Sequence, residues 1–558
     1  MDGTESVYCR LVLVALVTAV VLAPVGSAIA TAGSTSGTGI ERPDLATSSG
    51  VGDTTRATIA AVYPDPVTDG DRGECVVVDL PATRTTNWSL SDGEDSIAIP
   101  DTEGNDRVGI SDDPGVACRR VDARSIVVED MLDLSNTGET LTLRADGTVV
   151  SRVSYGDART AHWYRNGSWH PLGETDFDPV TVTGETGRVF VLPDSPAAPV
   201  APLRNASDRI LLAGYSFASE RVARALRSAV DRGVRVRVLL DGAPVGGLSR
   251  REARLLDRLV DAGVDVRMLG GPRARYAFHH AKYAVVDDRA VVLTENWKPA
   301  GVGGRSSRGW GVVLGNPTAA RLARVFRADA TGPDAISWTQ YRTGRNFSAA
   351  DGDGPSRTYP TRFPSRRVPV DRVEVFVAPD NAGRAVRKLL QSANESIRVV
   401  QMTVDGRNDS FLQATLAAAR RGVRVEILLS RAWYVREDNR KLVRWLGRVA
   451  ERENLPLAAR LTDPRSSFEK VHAKGIVVDG EIVVVGSLNW NGESRRRNRE
   501  VLVAVHSREA ARFFGRVFRS DWRGGAWRVP IAFGIAVAVV CLLAVGCLGR
   551  WVSFDQSP

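Results

Sequence analysis

The spacing of hydrophobic positions changes along the chain, and each change marks a boundary. Residues 11–25 (LVLVALVTAVVLAPV) are an apolar run behind Arg10, followed by small residues at Ser27, Ala28, Ala30 and Ala32. This is the pattern of a secretory signal, assigned to residues 1–30; Asp2 and Glu5 oppose its basic start, so an uncleaved anchor stays open. Residues 31–58 are rich in Gly, Ser and Thr without period and read as a flexible linker. From 59 to 178, short runs such as CVVVDL, SIVVED and LTLRADGTVVSRVSY alternate with Gly, Asp and Asn turns, which predicts an all-β sandwich.

Past residue 185 the period lengthens. ERVARALRSAVDRG (220–233) and FLQATLAAARRG (411–422) are amphipathic, end in Gly and run straight into valine-rich strands. Strand and helix alternate, which predicts α/β layers around a mostly parallel buried sheet. The segments also repeat: VFVLPD at 189–194 matches VFVAPD at 375–380, and DRGVRVRVLLD at 231–241 matches RRGVRVEILLS at 420–430. Two α/β halves are expected, 185–340 and 369–522, joined by a linker at 341–368. The uncharged run 529–549 is long enough to cross the roughly 30 Å hydrocarbon core of a membrane, leaving a short tail at 550–558. With the signal in use, the bulk of the chain faces outward, tethered by that span.

At 558 residues, 43% hydrophobic and 25% charged, the chain is too long for one core and has globular rather than disordered composition. A net charge of +9, mostly arginine, suits anionic partners: phosphate esters, nucleic acid or acidic lipid. Of five cysteines, Cys9, Cys541 and Cys547 lie in or beside the apolar segments. Cys75 and Cys118 share the β domain, as a disulfide outside the cell or as two free thiols; neither has a second ligand at metal-binding spacing. Asn-x-Ser sequons begin at Asn87, Asn166, Asn205, Asn346, Asn394 and Asn408, compatible with export.

The chemistry is named by a duplication. FHHAKYAVVDDRAVVLTENW and KVHAKGIVVDGEIVVVGSLNW place His280, Lys282 and Asp287, and again His472, Lys474 and Asp479, at one internal spacing. The chain has only six histidines, and two occupy equivalent places in the repeat. In an extended segment residues two apart share a face, so imidazole and ammonium converge on one ligand, which a phosphate fits. A neutral imidazole can attack phosphorus while a protonated one donates to the leaving oxygen. His279 points to the opposite face. Ser487, Asn489 and Glu500 add hydrogen-bonding groups and a carboxylate able to fix a histidine tautomer.

These paired motifs, with the GSLN segment and the repeat, resemble the phospholipase D superfamily across about 185–520. The resemblance implies a covalent phosphohistidine, no cofactor or metal, and cleavage or transfer of a phosphodiester. Carried over, His280 and His472 are nucleophile and general acid, Lys282 and Lys474 hold phosphate, and Ser487 with Asn489 completes the second half-site. Asp287 and Asp479 are counted with the catalytic set as members of the motif, although they are expected to secure local structure rather than touch substrate. The first half departs from the pattern: LTENW matches GSLNW with one residue deleted, giving Thr294 and Asn296, and Gly311 falls where Glu500 should be. Glu295 could stand in for that carboxylate, but reads rather as an exposed loop charge. Family habit favours His280 as nucleophile, whereas Glu500 as the orienter of His472 favours the other; the choice stays open.

The β domain resembles the immunoglobulin-like lamin-tail family in VYPDP (62–66), NWSLSDG (87–93), LSNTGETLTLRADGTVV (134–150) and WHPLGETDF (169–177). The resemblance implies an accessory module for adhesion, positioning or ligand contact, with a cell-surface ligand as a candidate partner. Trp88, Trp163 and Trp169 are expected in its core, and its aspartates in solvated turns.

The reading is a membrane-tethered, extracytoplasmic phosphodiesterase with phospholipid as favoured substrate. The alternatives are a nuclease, to which Arg495–Arg497 would contribute, a cardiolipin-synthase-like phosphatidyltransferase, and a surface protein that binds without catalysis.

Overall fold

The structure is a computed structural model that describes residues 57–524, apart from short stretches at 67–71, 82–86, 101–106, 119–123, 129, 176, 272–273, 333, 350–356 and 465, together with Val539. The expected signal, the linker before residue 57 and all but one residue of the expected membrane span lie outside it. No helix among the described residues is long and apolar enough to cross a membrane.

Residues 57–175 form two sheets. Six strands are ordered Ser168–Pro171, His162–Arg165, Thr58–Tyr63, Cys75–Asp79, Arg107–Ser111 and Arg124–Val127; four are ordered Ser96–Ile99, Trp88–Ser91, Glu139–Ala145 and Thr148–Tyr155. Val62, Val76 and Val78 of the first meet Leu90, Leu141 and Leu143 of the second in one core. Trp88 and Trp163 are buried, and Trp169 packs partly buried against that core. Cys75 and Cys118 are joined as a disulfide. Asp92 Oδ1 accepts the backbone N–H groups of Glu94 and Asp95, which makes it a turn former.

The repeat builds a single sheet through both halves. Val180–Leu192 of the first half pairs antiparallel with Arg366–Ala378 of the second, and outward from that seam the order mirrors itself. Ser307–Leu314 answers Glu500–His506, Arg289–Leu293 answers Ile482–Gly486, and Tyr283–Val286 answers Gly475–Val478. Within the repeat, parallel runs are confined to Arg209–Gly214, Arg235–Asp241 and Asp265–Leu269 in one half, Ser396–Gln401, Arg424–Leu429 and Leu457–Leu461 in the other, and the short pairing of Ser307–Leu314 with Lys470–Val471 across the seam. The expectation of a mostly parallel sheet is corrected accordingly. Tight turns at Asp287 (φ 51°) and Asp479 (φ 52°) fold the inner strands back as hairpins, which a crossover helix would have kept parallel.

Helices form where the period suggested, with caps to match. Ser219 accepts the N–H of Val222 at the start of Glu220–Asp231, and Asp409 accepts those of Phe411 and Leu412 at Ser410–Arg420; such caps contribute about 1 kcal/mol each. Helices Asn316–Ala330 and Arg508–Arg523, one per half, cover the same face of the sheet and share one core through Phe326, Val373, Phe514 and Val503. The opposite face carries a separate core in each half. The halves are therefore fused along sheet and core, and the loops at the seam are held rigidly enough to build a site.

Candidate active site

The two His-x-Lys segments lie just ahead of strands Tyr283–Val286 and Gly475–Val478, where each pairs with the other half. His280 N donates to Arg499 O at 2.9 Å, and His472 N donates to Arg308 O at 3.1 Å. Each of those arginines is fully buried and tied across the seam. Arg308 binds Asp194 of its own half and Asp521 of the second; Arg499 binds Asp380 of its own half and Asp329 of the first. Burial opposes the Arg499 charge, but Asp329 and its neighbours outweigh it and raise the guanidinium above its usual range. Burying such a pair is expensive to break, because one partner alone is left charged without compensation. The backbone that positions each histidine is thus pinned by an ion-pair network that both halves supply.

The carboxylates cross the seam too. Glu500, fully buried, accepts from His280 Nδ1 at 3.0 and 2.9 Å through its two oxygens. Glu295, 2% exposed, brings Oε2 to 3.2 Å from His472 Nδ1, close but off the line a hydrogen bond needs. Two expectations are corrected here. Glu500 serves His280, not His472, and Glu295 is no exposed loop charge.

The register explains the departure seen in the first half. Arg308 and Arg499 hold the same place against the opposite histidine, so the counterpart of Glu500 is Gly309, not Gly311. A Cβ on Gly309 would stand 2.1 Å from Glu295 Cγ, so glycine there is the space Glu295 fills. Gly311 instead leaves room for the Phe190 ring, 2.3 Å from a Cβ placed there. The equivalent bridges Phe217–Trp297 and Val404–Trp490 confirm that LTENW and GSLNW align with one residue deleted. The buried apolar Leu488 then answers Glu295.

Both ammonium groups fold back on their own motifs: Lys282 Nζ donates to His280 O at 2.5 Å, and Lys474 Nζ to His472 O at 2.8 Å. Lys474 Nζ also lies 3.3 Å from His472 Nε2. Burial drives both lysines down, Lys474 to about 8, against the pull of Glu295 and Glu500. Burial likewise lowers His280 to about 4, opposed by Glu500 and assisted by Lys282, and lowers His472, assisted by Lys474. Burial works against the Glu500 charge, but His280 and Lys282 outweigh it and hold the carboxyl below its ordinary value. Burial thus favours the neutral form of both imidazoles and works against both ammonium charges.

The remaining residues divide. Asn296 Oδ1 and Asn489 Oδ1 are buried without a partner and belong to equivalent loops of the site. Thr294 Oγ1 accepts Trp310 N at 2.9 Å and Ser487 Oγ accepts Val501 N at 3.1 Å, so these hydroxyls hold strand ends. Asp287 and Asp479 sit at the far ends of the strands that follow the histidines. Asp287 accepts the N–H groups of Ser207, Asp208 and Arg209; Asp479 accepts those of Asn394, Glu395 and Ser396. Neither reaches the site, which corrects their place in the catalytic set. A cleft of about 920 Å³ opens beside Asp287, Asp288 and Arg289, away from the histidines.

Sequence reading missed Tyr215 and Asp241. The Tyr215 ring stands edge-on to His280 at 4.9 Å, with Lys282 Nζ at 5.2 Å. Asp241 accepts the N–H of His279 and is raised to about 6 by burial, its hydrogen bonds opposing. Both sit at the C-terminal ends of parallel strands, the position where side chains from such strands converge. His279 itself is buried 3.7 Å from Asp329, within the ion-pair network.

The family model described as "Cardiolipin synthase, PLD-like domain" matches residues 200–329 and 386–522. "Mitochondrial cardiolipin hydrolase" of Xenopus tropicalis is 26% identical over 183 residues, 29% of this chain and 81% of the hydrolase. "Cardiolipin synthase A" of Escherichia coli (strain K12 / DH10B) is 32% identical over 98 residues, 18% of this chain and 19% of the synthase. Among solved structures, phosphatidylserine synthase from Haemophilus influenzae Rd KW20 aligns over 60% of this chain and 87% of its own, at 13% identity and a TM-score of 0.45. One family model thus covers both halves of the repeat, and the chain belongs to the phospholipase D superfamily.

Proposed function

We propose that this chain hydrolyses the phosphodiester bond of phospholipids, with His280 as nucleophile and His472 as general acid. The observation that carries the assignment is the two-oxygen contact of Glu500 with His280 Nδ1. It commits the Nδ1 proton to the carboxylate and leaves the lone pair on Nε2, the tautomer an attacking imidazole needs. His280 Nε2 bonds to phosphorus as the bond to the leaving alcohol breaks, and His472 delivers its proton to that oxygen. His472 then takes a proton from water, whose oxygen attacks phosphorus and breaks the N–P bond. Lys282 and Lys474 neutralise the non-bridging oxygens, and Asn296 and Asn489 turn toward the same group. A bound phosphodiester anion between the lysines also restores the proton affinity that burial removes from His472.

Phospholipid is favoured because relatives of the repeat carry names of cardiolipin enzymes, and because a tether at 529–549 would hold the site against a membrane. Hydrolysis is favoured over transfer by the match across most of the length of the hydrolase. The Cys75–Cys118 disulfide supports an extracytoplasmic site, since such bonds persist in oxidising compartments. The residue 59–178 module is read as an accessory contact domain of lamin-tail type.

The test is turnover of phospholipid vesicles and of single-stranded DNA by the full chain in excess chelator, beside His280→Ala and His472→Ala. Release of a free headgroup or phosphatidic acid, lost in His280→Ala, is expected. Cleavage of DNA alone would replace phospholipid with nucleic acid, and product carrying an added alcohol in place of water would make the chain a transferase.

A further inference from the structure

Among the described residues of the repeat, the large hydrophobic side chains left exposed are Val245 at 82%, Trp433 at 81% and Tyr434 at 41%. All three fall in equivalent loops. Val245 follows strand Arg235–Asp241, and Trp433 and Tyr434 follow strand Arg424–Leu429, the matched middle strands of the two parallel sets. Both loops pack on residues next to the site. Val245 N donates to Tyr215 Oη at 2.5 Å, and the Tyr215 ring lies against His280. On the other side Tyr434 Oη is 3.9 Å from Met402 Sδ, and Met402 follows Ser396–Gln401 as Tyr215 follows Arg209–Gly214. Lys470, two residues ahead of His472, holds its ammonium 5.5 Å over the Tyr434 ring.

Exposed apolar side chains confined to the mouth of a site mark a surface that meets something. The chemistry of these three selects a lipid boundary. Indole and phenol rings favour the headgroup level, with their polar edges toward water and their rings against acyl chains, and an aliphatic valine gains only by entering hydrocarbon. Arg431, Arg436 and Lys470 flank the pair with cations, although Glu437, Asp438 and Asp463 lie among them and Asp463 is 3.9 Å from Arg431. Stacked nucleic-acid bases suit this patch less well. The Trp433 and Tyr434 rings meet at 88°, which offers no parallel platform, and valine has no π face.

We propose that Val245, Trp433 and Tyr434 form a rim that dips into the surface of a phospholipid bilayer and seats the cleft over its substrate. The proposal rests on the phospholipid reading above, and two measurements separate the failure of one from the failure of the other. The first needs no turnover. Full-length chain and Trp433→Phe are mixed with vesicles of phosphatidylcholine and phosphatidylglycerol carrying brominated acyl chains, and the difference between their tryptophan emissions isolates Trp433. Quenching of that difference is expected. An unquenched difference overturns the rim, as does quenching by single-stranded DNA in its place.

The second measurement follows turnover of a short-chain phosphatidylglycerol below and above its critical micelle concentration. The wild type is expected to accelerate about tenfold on aggregates, the scale of one partly inserted aromatic side chain. A Val245→Ser, Trp433→Ser, Tyr434→Ser variant should lose that rise and keep the rate on monomers, which also reports that it is folded. An unchanged rise in the variant overturns the proposal. If the wild type turns over neither form, the phospholipid function falls, and the quenching result still decides the rim.

Discussion

In the second half of the repeat the carboxylate that reaches across to a histidine stands on a strand, at Glu500; in the first it stands on the loop before the strand, at Glu295, and the strand carries Gly309. The two arrangements are compensated exchanges. Glu500 comes with the apolar Leu488, and Glu295 comes with a glycine whose missing Cβ it occupies. Comparing the halves position by position therefore reports a lost carboxylate, while in space both histidines have one. The exchange is not neutral. Glu500 meets His280 squarely through two oxygens, and Glu295 meets His472 off-axis at 3.2 Å. A nucleophile profits from one fixed tautomer, whereas an acid that must give and regain a proton in each turnover tolerates a looser partner.

The division of labour is broken most sharply by removing each histidine. His280→Ala should lower turnover by at least about 10⁴-fold on any diester, with no phosphohistidine trapped by an alkaline quench. His472→Ala should cost about 10²- to 10⁴-fold when the leaving group is an alkyl alcohol and less than about tenfold in bond-breaking when it is nitrophenolate, which needs no proton. Rapid-quench labelling on both substrates measures this. Label retained in His280→Ala and absent from His472→Ala would reverse the roles.

The carboxylates should follow in the same order. Glu500→Gln is expected to lower kcat about 10²-fold and Glu295→Gln about tenfold, because the better-aligned bond carries the greater orienting effect. The exchange can also be undone. Gly309→Glu alone clashes with Glu295 and should destabilise the fold, while Glu295→Leu with Gly309→Glu copies the second half and should recover activity lost in Glu295→Leu. Additive losses in the double variant, in steady-state kinetics, would show that the loop position cannot be replaced by the strand position.

The pH dependence separates the two partners by a smaller effect. His280 must be neutral to attack, so kcat/KM should rise as pH passes about 4. His472 must be protonated to donate, so the rate should fall below the ordinary imidazole range, ahead of the loss of charge on Lys474 near 8. Each anion favours the charged form of the histidine it faces. Glu500→Gln should therefore move the acid limb down, and Glu295→Gln should move the alkaline limb down. A profile in which either substitution moves both limbs equally would mean that the carboxylates act on the site as a whole.

Much of this was legible in the chain because the repeat carries its own control. The helices at 220 and 411, the parallel strands after their glycines, and the His-x-Lys pairs follow from periodicity and duplication alone. What stayed hidden depends on contacts across the seam. No local pattern says that His280 pairs with the backbone of Arg499, or that Glu500 faces the histidine of the other half. Glu295 was misread because a charge beside Asn and Trp looks like a loop, and its burial comes from Gly309, a residue that carries no chemistry. The Trp297 and Trp490 anchors were the available signal: aligning on them places Leu488 opposite Glu295. Tyr215 and Asp241 had no such signal, since Met402 and Ser430 hold their places in the second half.

The smallest effects should fall at Asp287 and Asp479, where the halves are most alike and the comparison predicts no difference in role. Each carboxylate accepts three backbone N–H groups at the start of an outer strand, from a left-handed turn residue. Because the bonds lie near solvent, Asp287→Ala and Asp479→Ala should each cost about 1–2 kcal/mol in chemical denaturation. Activity per folded molecule should be unchanged. At Asp287, burial raises the carboxyl, but the N–H groups of Arg209, Asp208 and Ser207 outweigh it and lower the group below 3.8. Its contribution is therefore fully present above the ordinary carboxylate range and is lost as pH falls through the lowered value. The stability gap between wild type and Asp287→Ala should accordingly close on acidification, and a specific activity that falls with either substitution would return the motif aspartates to the catalytic machinery.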